Sequence, residues 1–336
     1  MEAVVVKAIC YHNTKITLPY WAPNSRLNEE CPLGFAYEIG NFYVHIYGYG
    51  SGLYTICPGL SVIEGKKEEL SLEQWAINHF GAEDIRAMYE DVGTAHPSLW
   101  RPGLYTYDEL QQGLKYNSFE KEDEDQALFL LFQKLIDIFS YIEPVNRNLS
   151  CYGHRIRELI ILACTEFENQ CRNILRANKI SPQGKDFMSR DFVQLKEMAH
   201  LAEFEITFKS YSDLKSFQPF TGWESKKPTK SLKWYDRYNR VKHDRSKGFS
   251  EASLDTALNA LAANIILYAV RFGPYLLSNV NSVLSGYFNQ YIHISLVKPD
   301  IRTFYVPKLK LTDDVRKDFF VLNAYQTRMI EPWITL

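Results

Sequence analysis

From residue 154 to 178 the chain reads "HRIRELIILACTEFENQCRNILRAN", with Ile156, Leu159, Ile160, Ala163, Phe167, Cys171 and Ile174 at steps of three and four. That spacing matches the 3.6-residue turn of an α-helix. A stripe of this length cannot remain in water, so the segment demands partner helices. Two other segments supply them. "QALFLLFQKLIDIFSYI" (126–142) is one, preceded by the acidic run "SFEKEDEDQ" (118–126), which reads as a solvated helix start complementing the helix dipole. The other is "LDTALNALAANIILYAVRF" (254–272), with Leu254, Leu258, Leu261, Ile265, Tyr268 and Phe272 on one stripe, Ser250 as the expected N-cap and Glu251 in the first turn. A further helix is expected in "DFVQLKEMAHLAEF" (191–204).

The chain's first sixty residues follow a different period. In "AYEIGNFYVHIYGYGSGLYTICPG" (36–59), Phe42, Val44 and Ile46 point one way and Tyr43, His45 and Tyr47 the other, as in a β-strand. "GYGSG" (48–52) reads as the hairpin loop after that strand. A phosphate-cradling glycine loop would need a helix next, and another strand follows. Residues 70–115 read as helical and loop-rich through "SLEQWAINHF", "AEDIRAMYEDVG" and "TYDELQQGL", with Ser71 as an N-cap. Residues 289–309 return to strand character and are candidates to pair with the N-terminal strands. The expectation is an α+β protein: a mixed, β-rich N-terminal domain (1–117), an all-α helical bundle (118–285) and a C-terminal extension with strands (286–336).

With 46% hydrophobic and 23% charged residues the composition is that of a folded globular chain, and a net charge of -2 argues against coating nucleic acid by bulk electrostatics while leaving room for a local basic patch. The six cysteines (10, 31, 57, 151, 164 and 171) form no C-x-x-C pair, which argues against a zinc site or a disulfide framework and for buried thiols in a reducing cytosol. The N-terminus lacks the pattern of a signal peptide. The most apolar segment, 257–277, is interrupted by Asn259, Asn264, Arg271 and Pro274, so it reads as a core helix and not a membrane span. A cytoplasmic protein without a membrane partner is expected.

Against that neutral background, residues 225–247 hold nine Lys or Arg and two acids, interleaved with Trp234, Tyr235 and Tyr238. Basic charge tracks a phosphate backbone and aromatic faces stack on unpaired bases, which together suit single-stranded RNA or DNA. In "KWYDRYNRVKH" taken as a helix, Asn239 and Arg240 stand four and three residues before His243 and share its face. An imidazole to move a proton and a guanidinium to stabilise a phosphoryl charge are parts enough for metal-independent RNA cleavage. The same residues also suit an ordinary helix end: cations bond the last carbonyls, and Asp236–Arg240 and Arg240–Asp244 are plain i,i+4 pairs. Composition leaves both readings open. The eight histidines show no H-x-x-x-H or H-E-x-x-H spacing, so no metal and no cofactor is expected.

The segment "YNRVKHDR" followed by "LDTALNALAANIILY", together with "GHRIRELIILACTEFENQCRNILRAN" before it, resembles HEPN domains, the all-α bundles of prokaryotic defence and toxin systems. Their signature is an arginine followed four to six residues later by a histidine, on the approach to the last long helix; Arg237, "YNRVK" and His243 fit that window. The likeness covers about 125–280 and resembles a group of bacterial HEPN-like proteins. It implies either a metal-independent endoribonuclease of phage defence or toxin type, or an inactive module holding RNA, a nucleotide or a protein partner. On that resemblance His243 is the acid/base, Arg237 or Arg240 the phosphate stabiliser and Asn239 a positioning residue. Glu166 would orient the cations, and Lys233, Trp234, Tyr238, Lys242 and Arg245 would hold the substrate. A homodimer and a regulatory or antitoxin partner are also implied. Tyr238 directly follows Arg237 where the family carries a polar residue, so both arginines stay open as the catalytic one.

Overall fold

The computed structural model describes residues 6–15, 27–66, 70–243, 248–279, 282–311, 319–323 and 330–336. The protein is α+β and divides into two compact units, one of residues 1–96, 101–113 and 299–336, the other of 97–100 and 114–298.

In the first unit, β1 (Lys7–His12), β2 (Leu33–Ile39), β3 (Phe42–Tyr49), β4 (Thr55–Gly65) and β5 (Glu83–Asp91) join a last strand, Phe319–Asn323, in one antiparallel sheet. The spatial order is β5-β1-β2-β3-β4 and then the last strand. Alternation along β3 sends side chains to two faces, and both are covered. Val44 and Ile46, with Cys10, Phe35 and Tyr37, pack against Ile301, Phe304, Val306 and Leu309. Tyr43 and Tyr47, with Tyr11 and Ala36, pack under Trp75, Ala76 and Phe80 of α1 (Leu72–Phe80), which Ser71 caps as expected. His45 shares that face: its Nδ1 lies 2.6 Å from the Tyr11 hydroxyl and its ring stacks on Phe80, and burial holds its pKa far below the ordinary value. "GYGSG" closes the β3–β4 hairpin, with Gly52 at φ +61°.

Two expectations fail here. "AEDIRAMYEDVG" is strand β5 and not a helix, because β1 offers a pairing edge that overrides helix-forming composition. Its charges (Glu83, Asp84, Arg86, Glu90, Asp91) suit an edge strand, where they discourage pairing with another chain. Of residues 289–309 only Ile292–Leu296 is a strand, and its partner is Phe204–Phe208 in the second unit. The segment that returns to the N-terminal sheet lies further on, at Phe319–Asn323 on β4. TYDELQQGL is helical as expected, as α2 (Tyr107–Leu114).

The second unit is built on α3 (Ser118–Phe139), α4 (His154–Ala177), α5 (Lys233–His243), α6 (Leu254–Phe272) and α7 (Val283–Tyr291), with β6 (Phe204–Phe208) and β7 (Ile292–Leu296) as an antiparallel pair. The whole predicted stripe of α4 is buried. Around α6, which packs against α3, α4 and α5, burial is complete: Ala260 through Phe272 are all enclosed, far beyond the predicted stripe. Its polar side chains are therefore partnered. Asn264 donates to the carbonyls of Ala163 and Ala260 and accepts from Gln170. Arg271 pairs with Glu124 and Glu120, so the acidic run is not simply solvated: it lies within α3 and clamps α6.

The N-cap of α6 is Ser253, accepting from Thr256, and not Ser250, which falls in a 3-10 turn. Ser253 wins because the backbone around it is extended and stitched to Cys151 and Leu149 through the N–H groups of Leu254 and Asp255. The expected helix over 191–204 is instead short turns, Ser189–Phe192, Leu195–Met198 and Leu201–Glu203, interrupted by His200 at φ +50°. No helix among the described residues is long and apolar enough to cross a membrane.

Candidate functional site

Helix α5 exists because Trp234, Tyr235, Tyr238 and Val241 recur at helical spacing and bury against the rest of the unit. Trp234 is only 4% exposed and Tyr238 1%. The Trp234 ring meets Phe167 edge-on while its indole N–H donates to the Pro219 carbonyl. The expectation that Trp234 and Tyr238 stack on bases is thus corrected: an amphipathic helix must spend its aromatic face on the core. At one end the Tyr235 hydroxyl donates to Glu168 at 2.8 Å, and at the other Arg157 donates to the Val241 carbonyl, so α5 runs back along α4 with a defined register.

The cations take the opposite face. Lys233, Arg240 and Lys242 are exposed and Arg237 is half-buried. Arg237 and Arg240, on successive turns, line a cleft of about 630 Å³ with Lys215, Ser150, Glu251 and Asp255. Asn146 anchors the loop that brings Lys215 in, accepting from the Lys215 N–H, while its own N–H donates to Asp213. Each cation in the cleft has a carboxylate. Asp255 bridges Lys215 (2.7 Å) and Arg237 (3.1 Å), and Arg240 reaches both Asp236 (2.6 Å) and Glu251 (2.7 Å). These acids orient the guanidinium groups and also compete with any incoming phosphate.

The other expected residues are spread more widely. Asn239 donates to the carbonyl of Tyr235 on its own helix and does not reach into the cleft. Lys242 donates to the Tyr238 hydroxyl, a bond that raises the lysine's pKa. His243 closes α5; its side chain, like Asp244 and Arg245, lies outside the described residues. Glu166 does not join the arginines: it faces Glu124 of α3, and the carboxylate of α4 that meets α5 is Glu168. Sequence reading missed Lys215 and Asp255. A first-turn acid in α6 is visible as a dipole partner, but nothing in the spacing around Lys215 marks it.

All six cysteines are free, and Cys10, Cys31, Cys164 and Cys171 are buried. Compared with protein-family models, with curated proteins and with solved structures, the chain has no match in any of the three.

Proposed function

We propose that the second unit is a HEPN-like module that cleaves single-stranded RNA without a metal ion, working at the mouth of the Arg237–Arg240 cleft. The observation that carries this reading is that both arginines line one open cleft beside the end of α5, where His243 stands, and beside the start of α6. Helical register distinguishes the arginines. Residue 240 precedes 243 by three positions and lies on the neighbouring turn of the same face, whereas 237 is about 120° round the helix. Arg240 is therefore the phosphate stabiliser in this reading, and Arg237 shapes the wall through Asp255.

In the reaction His243 takes the proton of the 2′-hydroxyl, and that oxygen attacks the adjacent phosphorus. Arg240 leaves Glu251 to meet the charge growing on the phosphoryl oxygens; the bond from phosphorus to the 5′-oxygen breaks, that oxygen takes a proton from water, and His243 gives its own proton back to the solvent. The products are a 2′,3′-cyclic phosphate and a 5′-hydroxyl. A homodimer, with two such clefts facing one RNA, belongs to the same reading. A second reading, an inactive RNA-holding module, is favoured by the ion pairing of both arginines and by the bond of Asn239 to its own helix.

Incubating labelled total RNA with the purified protein in EDTA, beside His243→Ala, separates them. Cleavage to cyclic-phosphate ends that disappears in the variant supports the nuclease. Retention of intact RNA by both proteins, released at high salt, selects the holding module.

A further inference from the structure

A second concavity lies at the far end of α4. Arg172, Arg176, Lys185 and Asp186 line a pocket of about 530 Å³ with Phe187 and Pro182. Cations at a helix C-terminus are ordinary, since the dipole favours them there. Three features set this group apart.

The loop carrying Lys185 is held in place: the buried carboxylate of Asp191 accepts the backbone N–H groups of Gln183 and Met188, at 2.9 and 2.8 Å. The guanidinium groups are also placed, Arg176 over the Phe187 ring and Arg172 over the Phe192 ring. Finally, the charge is not cancelled. Arg172 pairs with Glu168, but among the described residues neither Arg176 nor Lys185 is in an ion pair, and Asp186 is the one acid on the lining. In the Arg240 cleft every cation already has a carboxylate.

The positive surface continues beyond the pocket. Ser189 bonds to Thr229 at 2.7 Å, which brings the segment holding Lys226, Lys227 and Lys230 beside Arg190 and leads on to Lys233 at the start of α5. Since α5 runs back along α4, this track ends at Arg237 and Arg240. The helical rise puts residues 157 and 172 of α4 about 22 Å apart, so the two concavities are separate sites.

We infer that the pocket formed by Arg172, Arg176 and Lys185 binds a phosphate group. Two sources present that chemistry: the backbone of a single strand crossing the track, and the phosphates of a free nucleotide. The inference does not depend on cleavage at Arg240.

The test is fluorescence anisotropy on the full chain, with a labelled single-stranded RNA of about 15 nucleotides and, separately, a labelled ATP, over a range of salt. Arg176→Gln/Lys185→Gln is compared with wild type and with Arg240→Gln. Both changed side chains are exposed, and thermal melts check that the fold is kept. RNA binding weakened at least tenfold in the double variant, with the salt slope reduced by about 1.4 for two lost contacts, supports a backbone phosphate in the pocket. ATP binding lost in the double variant supports a nucleotide phosphate. Should ATP bind this way while RNA does not bind at all, the pocket stands and the RNA reading of the cleft falls. Unchanged affinity of the double variant for both ligands, or no binding of either ligand to wild type, overturns the inference.

Discussion

Arg271 and Glu124 meet at 2.6 Å with both side chains buried, joining α6 to α3 in the interior of the second unit. The Glu124 carboxyl is pushed up to about 8, chiefly by burial and then by the neighbouring charge of Glu166, with Arg271 opposing both. A carboxyl that holds its proton more tightly folded than unfolded stabilises the fold most at low pH. That stability drains away as pH rises from the unfolded value, near 4.5, to the folded one, near 8. The expected loss is at most about 1.4 kcal/mol per pH unit in that window. Glu124→Gln, which cannot ionise, should remove this component, so the variant gains on wild type as pH rises. Urea melts of both proteins across the window measure it; a stability of the variant relative to wild type that stays constant or falls with rising pH would refute the assignment.

Trp234 belongs to the core and not to an RNA surface, and truncation discriminates the two roles. Trp234→Ala removes a buried ring packed on Phe167 and should cost about 3–5 kcal/mol, while Trp234→Phe retains most of the packing. Thermal melts read this directly. A Trp234→Ala protein that melts like wild type yet no longer holds RNA would show that the ring meets bases.

Much of this architecture is readable from side-chain periodicity. The α4 stripe and the two faces of β3 follow from spacing alone, because each is set by local geometry and burial. The failures share a cause. "AEDIRAMYEDVG" has helical composition and becomes a strand only because β1 lies alongside, and Ser250 loses the cap to Ser253 because residues 149–151 stitch the backbone there. In the candidate site, Arg237 and Arg240 were legible as cations on one helix. Their partners Asp255 and Glu251, and the cleft wall from Lys215, depend on contacts remote in sequence. Glu166 and Glu168 are two residues apart on α4, and periodicity does not say which one faces α3 and which faces α5.

Gly103 is fixed by sterics in the first unit. Its φ is +121°, and a Cβ there would lie 1.8 Å from the Tyr305 carbonyl oxygen, a backbone atom that cannot step aside without moving the segment that covers the sheet. Gly103→Ala should therefore destabilise by about 2 kcal/mol or more, through both strain and displacement. A calorimetric melt shifted down by about 5 °C or more is expected; an unchanged melt would mean the segment at Tyr305 yields freely.

Arg240 and Arg237 separate by function if the nuclease reading holds. Arg240→Gln withdraws a charged donor from the developing phosphoryl charge and should lower cleavage about 100-fold or more. Arg237→Gln, which loosens the Asp255 bridge, should lower it about tenfold or less, since its interaction positions the wall without meeting the reacting group. Glu251 gives the opposite sign. Its carboxylate holds Arg240 at 2.7 Å and faces the cleft, so a phosphate entering must displace it against like charge. Glu251→Gln should then tighten RNA binding several-fold at low salt, with the gain fading as salt screens the repulsion. Single-turnover cleavage and anisotropy titrations of the three variants measure both effects. Equal losses from the two arginines, together with weaker RNA binding by Glu251→Gln, would place the phosphate elsewhere than the mouth of this cleft.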